Sequence, residues 1–174
     1  MSIGLERGTV RLQAYDPNWA IEFERERQRL LDVFGDRLIA IEHIGSTSVP
    51  GLPAKPIIDM IAAIRSFDEL ENFVEPLQEL GYEYSPERMF TDRKFFPKGP
   101  HSSRTHHLNF VLNDDANQWA SPLLFRDYLR NHQEARNEYA RLKFLLAGKY
   151  SNDREMYTKS KSDFIQRALS VARL

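Results

Sequence analysis

Apolar positions recur along this chain with two periods, one helical and one strand-like. Trp19, Phe23, Leu30, Leu31 and Phe34 fall near one face of a helix over 19–34, entered through Asp16-Pro17-Asn18 and ended by Gly35. The alternating signs of EFERERQR mark its solvated face rather than an arm for an acidic partner. Before it, Val10, Leu12 and Ala14 alternate with Arg11 and Gln13, which predicts a short half-buried strand over Thr9 to Tyr15. Leu38 to Ile44 and Ile57 to Ile64 are apolar enough to be largely buried strands. Phe67, Leu70, Phe73, Val74, Leu77 and Leu80 return at helical spacing, with Gly81 at the C-cap and Pro76 expected to kink or divide the helix. Tyr82 to Tyr84 and Met89 to Phe96 read as a hairpin or a strand beside a mobile loop, punctuated by Pro86, Pro97, Gly99 and Pro100. On the next strand His107, Asn109 and Val111 share one face and His106, Leu108, Phe110 and Leu112 the other, with Asn113-Asp114-Asp115 closing it. Ser121-Pro122, an N-cap and a helix-starting proline, opens helices over 123–130, 133–147 and 153 to the C-terminus, with breaks at 131–132 and 148–152. The sum is an α/β (α+β) layout, a small mixed sheet flanked by helices with the C-terminal helices packed on it as one unit.

Composition narrows the function classes. A chain of 174 residues, 41% hydrophobic and 28% charged, suits one soluble domain over 1–174. With 24 Lys plus Arg against 25 Asp plus Glu there is no overall basic excess to support non-specific nucleic-acid binding. The absence of cysteine removes disulfides, thiolate zinc sites and a cysteine nucleophile. No leader-like or membrane-spanning apolar stretch is present, so the expectation is a cytoplasmic protein with no membrane partner.

Chemistry-bearing residues concentrate in IEHIGSTSVPGLPAKPIIDMIAAI, Ile41 to Ile64. Gly45 ends a strand, and Ser46, Thr47 and Ser48 follow with hydroxyls and amides able to wrap an anionic oxygen; an ordinary hydroxyl-capped turn is the alternative. Pro50, Pro53 and Pro56 stiffen the loop that delivers Lys55. Asp59 is a carboxylate in an otherwise apolar strand and needs a cation or donors, for which Lys55 and Arg104 are the structural candidates. The run KFFPKGPHSSRTHH gathers Lys94, Lys98, His101, Arg104, His106 and His107 into a local positive patch that would face Lys55 across a phosphate pocket. His43, His106 and His107 read as a metal cluster or as hydrogen-bonded structural residues, and no HExxH-type spacing supports zinc. Tyr157 and Lys161, i and i+4 on a helix, form either a packing pair or part of the pocket wall. Trp19 and Trp119 are assigned to helix packing.

The run HIGSTSVPGLPAKPIID resembles the signature of the GrpB (UPF0157) family, in which Gly45, Ser46, Pro50, Gly51, Lys55, Pro56 and Asp59 fall at fixed spacing. RTHHLNFVL, FRDYLRNHQEARNEYARLK and YTKSKSDFI resemble later family blocks in the right order, so the likeness covers most of the chain. It implies a nucleotidyltransferase-like fold and a nucleotide or other phosphorylated small molecule as ligand. Gly45, Ser46, Thr47, Lys55, Arg104 and Lys161 would hold the phosphate, Asp59 and His107 would be catalytic, and both would ligate Mg²⁺ or another divalent cation. Active superfamily members carry two alternating carboxylates on the strand, because residues i and i+2 face the same way. Here Ile61 stands at the second position, and Asn109 stands where the family strand usually has a second histidine. A metal-assisted nucleotidyl transferase is therefore set against a non-catalytic nucleotide-binding module, and against an RNA-interaction domain using the patch from Lys94 to His107.

Overall fold

The computed structural model describes residues 3–174; Met1 and Ser2, the start of the stretch read for a leader, lie outside the described residues. Helix α1 (Asn18–Phe34) leads through a short 3₁₀ turn into strand β1 (Ala40–Ile44), and the proline-rich loop then delivers β2 (Ile58–Ile64). Helix α2 (Glu71–Glu79) is followed by β3 (Lys94–Lys98) and β4 (His106–Leu112). The four strands form a mixed sheet in the order β1-β2-β4-β3, with β2 and β4 parallel and the other two pairs antiparallel. Four helices complete the chain: α3 (Ser121–Asn131), α4 (Gln133–Lys149), α5 (Arg154–Lys159) and α6 (Ser162–Ala172).

Strand alternation divides the sheet into two faces with different tasks. Ile41, Met60, Ala62, Phe96, Leu108 and Phe110 pack with Trp19, Phe23, Leu30 and Phe34 of α1 and with Phe73 and Leu77 of α2 in the main core. The opposite face carries Asp59 and His107, which the parallel register places side by side. A second cluster joins Leu129, Tyr139, Phe164 and Ala168 of the C-terminal helices to Val49 and Leu52 of the proline-rich loop. Helix α3 is also tied to β1 by Arg126, which donates to Glu42 at 2.7 Å and to the His43 carbonyl at 3.0 Å. Arg130, one turn on, donates twice to the Ser48 carbonyl, at 3.0 and 2.8 Å.

The mixed sheet with packed C-terminal helices agrees with the pattern of the sequence, and several details differ. Thr9 to Tyr15 forms no strand; Gln13 makes an isolated bridge with Ala54, while Val10 packs on Leu146 of α4 and Tyr157 of α5 and Ala14 is exposed. Helix α2 starts at Glu71 instead of Phe67 and passes Pro76 without a break. That proline is the sixth of the nine helical residues, and the one intrahelical bond its missing N–H forgoes is to the Asn72 carbonyl. Gly81 does take a positive φ of 89° and donates to the Gln78 carbonyl at 2.9 Å, ending the helix. The strand expected within 89–96 is β3, one turn later, with Tyr82 and Met89 contributing single bridges. Helix α3 is capped from further upstream than Ser121: Asp115 accepts from the amides of Asn117 and Gln118, both at 2.8 Å, and opens a π-type turn over Ala116–Ala120. Trp119 sits in that turn, partly exposed, whereas Trp19 is buried against Tyr15. The final helix expected from Asp153 is two helices, parted at Ser160-Lys161.

Candidate functional site

Gly45 shapes the floor of the site. Its φ of 69° lies in the region that favours glycine, and a Cβ built there would come within 2.7 Å of Asp59 Oδ2. The carboxylate thus lies directly over the turn backbone, so turn and strand are matched as a pair. Ser48 closes the turn by donating to the Gly45 carbonyl at 2.6 Å. Thr47 is buried, its hydroxyl donating to the Ile57 carbonyl and paired with His43 Nε2 at 2.9 Å. Its oxygen is therefore engaged within the protein, while Gly45 and Ser46 line the cavity beside it.

Asp59 has His107 as its partner, not Lys55 or Arg104: His107 Nδ1 lies 2.8 Å from Asp59 Oδ1. A carboxylate only accepts, so Nδ1 carries the proton and Nε2 keeps its lone pair. Burial pushes the His107 pKa down and the Asp59 contact only partly offsets it, which leaves the imidazole neutral near pH 7. Asp59 lies deep yet faces open space, with 39% of its side chain accessible. Burial raises its pKa, but the His107 bond and the charges of Lys55 and Arg154 overcome that and hold it at about 2.

Around this pair lies a cavity of about 400 Å³ between the sheet and the C-terminal helices. Its cations are Lys55 from the loop, Lys143 from α4, Arg154 from α5 and Lys161 at the entry to α6. Asp59 is the one carboxylate in the wall among the described residues. Lys143 is 2% exposed and donates to the Pro53 carbonyl; its pKa falls well below the ordinary lysine value because of burial, then Lys161 and Lys55. Lys55 and Lys161 are both lowered to about 8, chiefly by burial and then by neighbouring cations. Neither ammonium, nor the Arg154 guanidinium, has a hydrogen bond or ion pair among the described residues. The two lysines instead lie against the Tyr157 ring, at 5.8 and 4.3 Å from its centroid. Phe125, Tyr139 and Tyr157 supply an apolar and aromatic wall.

The residues expected to act together are only partly gathered. Gly45, Ser46, Thr47, Lys55, Asp59, His107 and Lys161 line one cavity. Arg104 does not join them: it is 3% exposed, donates to Glu83 and to the Gly99 carbonyl, and faces a neighbouring cleft. The positive patch is likewise split by strand alternation. Lys98 and His106 lie on the α1 side, where Lys98 donates to the buried Glu26 at 2.6 Å, and Tyr82 donates to the same oxygen at 2.8 Å. His43 is on that side too, stacked on Phe23 at 4.8 Å, so the three histidines form no cluster. Sequence reading missed Lys143, Arg154 and Tyr139. For Lys143 a signal existed, since it sits at helical spacing between the buried Tyr139 and Leu146. Arg154 carried none, because its approach depends on how α5 docks.

The residues present offer a divalent cation few protein ligands beyond Asp59 and His107. Ile61 shares the face of Asp59 but is 2% exposed and lines neither cavity, and the carboxylate across from it, Glu42, is held by Arg126. Asp59 is engaged by His107 with Lys55 and Arg154 nearby, and no group of three or more metal-ligating side chains occurs among the described residues. No helix among them is long and apolar enough to cross a membrane.

Comparison with known proteins places this geometry in context. The chain is 40% identical over 159 residues to the UPF0157 protein YqkA of Bacillus subtilis, a match covering 91% of this chain and 46% of YqkA, so the chain spans about half of that relative. The crystal structure of the conserved protein GrpB from Enterococcus faecalis superposes with a TM-score of 0.85 at 33% identity, covering 93% of this chain and 96% of that one. A stretch of 81 residues is 37% identical to one part, 20%, of a dephospho-CoA kinase from Mycolicibacterium paratuberculosis. The model of the GrpB protein family matches residues 9–170, and with the shared fold and the Gly45 to Asp59 segment this makes the chain a member of the GrpB family.

Proposed function

We propose that this protein binds a phosphate-bearing small molecule, a nucleotide by class, in the cavity between the sheet and the C-terminal helices. The observation that carries the reading is an excess of cations over carboxylates: Lys55, Lys161 and Arg154 converge on one space with Asp59 as its one carboxylate, and none of the three makes a side-chain hydrogen bond or close ion pair among the described residues. Buried like charges repel and lose hydration, and an anionic ligand offsets both costs. Gly45 and Ser46 would border the phosphate, and Phe125, Tyr139 and Tyr157 would cover an apolar or planar body. The partial likeness to a dephospho-CoA kinase supports a phosphorylated ligand, although it covers only one fifth of that enzyme.

A second reading, transfer of a nucleotidyl group, is favoured by the Asp59–His107 pair. Asp59 holds the imidazole so that Nε2 can take the proton of an attacking hydroxyl, the ordinary geometry of an oriented general base. The non-catalytic module uses the same cavity without that step, and an RNA-binding surface loses support because the patch from Lys94 to His107 is divided between two faces.

Calorimetry with nucleoside di- and triphosphates tests the reading. Replacing Lys55 or Lys161 by Ala should weaken binding about tenfold or more, the size of a charge-assisted contact, while His107→Ala should spare affinity and abolish any turnover. Equal affinity in Lys55→Ala, Lys161→Ala and parent would sink it. The sign of the pH dependence is fixed by the two lysines lowered to about 8: affinity is full below pH 8 and falls as pH rises through it. Binding near pH 8 should draw in protons, seen as an enthalpy that varies with buffer ionisation. In the free protein the unfolded chain holds those protons more tightly, so stability should rise between about 8 and the ordinary lysine value of 10.5.

A further inference from the structure

A second cleft of about 450 Å³ adjoins the first, and Asp59, His107 and Arg154 line both. Five arginines reach it, Arg7, Arg88, Arg93, Arg104 and Arg154, and Asp59 is its one lining carboxylate among the described residues. Such a concentration is unexpected in a chain of net charge -1. The arginines arrive from separate segments: the N-terminal stretch, the 3₁₀ turn at Pro86–Arg88, the loop before β3, the approach to β4 and the start of α5.

Their individual contacts divide them into frame and free groups. Arg104 is fixed by Glu83 and the Gly99 carbonyl, and Arg88 reaches the same Glu83 only at 3.6 Å. Arg93 lies 3.8 Å from Asp92 and stacks over Phe90 at 4.6 Å, and Arg88 lies over Phe95 at 5.8 Å. A guanidinium laid on an aromatic face keeps its in-plane donors available for an oxyanion. Neither Arg7 nor Arg154 has a side-chain hydrogen bond or ion pair among the described residues. Asn109 lines this cleft and not the lysine cavity.

We propose that the arginine-lined cleft is a second, separately filled site for a phosphate group, belonging to a second substrate that meets the first across Asp59 and His107. Planar forks suit phosphate oxygens in pairs, and the shared wall puts the unprotonated His107 nitrogen between the two occupants. The site needs only the arginines to bind, so it stands or falls apart from the lysine cavity; its role as the place of a second substrate rests on the first reading.

Pyrophosphate is the probe, titrated into the full chain by calorimetry. The parent should show two sites. Arg88→Gln with Arg93→Gln should weaken one of them about tenfold or more and spare the other, while Lys55→Gln with Lys161→Gln should do the reverse. Arg88 and Arg93 lie outside the core, with 16% and 39% of their side chains exposed, so the double variant is expected to fold. Should loss of the Glu83 contact prevent that, Arg7→Gln with Arg93→Gln carries the same test. A single site in the parent that the arginine changes leave untouched overturns the proposal. So do two sites indifferent to the arginine changes, or one site weakened equally by both pairs of substitutions, which would mean one ligand spanning both lobes. Loss of the lysine effect alone would overturn the first site and leave this one standing.

Discussion

Asp59 and Gly45 show how far single residues are specified by one another. The carboxylate rests where a methyl group on residue 45 would have to go, and the backbone there has positive φ. Gly45→Ala should therefore cost roughly 1–3 kcal/mol, the range for a strained backbone position, and displace Asp59 from His107. Asp59 raises the His107 pKa, so its withdrawal should let burial push the imidazole further down. Thermal melts and an NMR titration of His107 check both effects, and a variant that melts and titrates like the parent would show that the contact is not formed. The glycine itself was legible in the sequence as the end of a strand. Its reason was not, because the overlying carboxylate comes from a strand fourteen residues later, across the pairing of Ile44 with Asp59.

At the scale of elements, the parallel pairing of β2 and β4 does most to build the site, setting Asp59 opposite His107. Period-two alternation was enough to separate His107 from His106, yet not enough to say that Lys98 and His106 would turn towards α1. That required the order of the strands. The missing strand at Thr9 to Tyr15 has a related cause: alternation reports one buried side, and a segment lying across a loop produces it as readily as a ladder does. The α1 side of the sheet now carries a testable cost. Burial pushes His43 and His106 down to about 4 from 6.5, so the unfolded chain binds their protons first as pH falls. Stability is full above 6.5 and should drop as pH falls from there through about 4, by about 3 kcal/mol per histidine. Denaturant midpoints between pH 7.5 and 4.5 measure it, and a flat profile would mean that neither ring is held neutral.

Across the whole molecule, a net charge of -1 hides a strongly uneven distribution. Acidic side chains lie mainly on outer helix faces such as that of α1, whereas Lys55, Lys143, Lys161 and Arg154 meet inside. The composition argument against a basic protein was sound for the surface and silent about the cavity, since no sum over the chain records where charges meet. Lys55 and Lys161 belonged to recognisable sequence blocks; Lys143 and Arg154 were brought in by tertiary packing of α4 and α5. The depressed lysines also imply a chemical selectivity. An amine with a pKa of about 8 is partly unprotonated at pH 7.5, while ordinary lysines at 10.5 are almost wholly protonated. Lys55 and Lys161 should thus react with an aldehyde ahead of the surface lysines, whereas Lys143, lowered further, is 2% exposed and shielded, and an anionic aldehyde would be drawn to the cavity besides. Pyridoxal phosphate followed by borohydride, with peptide mapping, should mark these two first and be blocked by pyrophosphate. Labelling spread evenly over the surface lysines would mean that both amines keep ordinary basicity, and the same two positions, if marked, offer a covalent handle on the cavity before its natural occupant has been isolated.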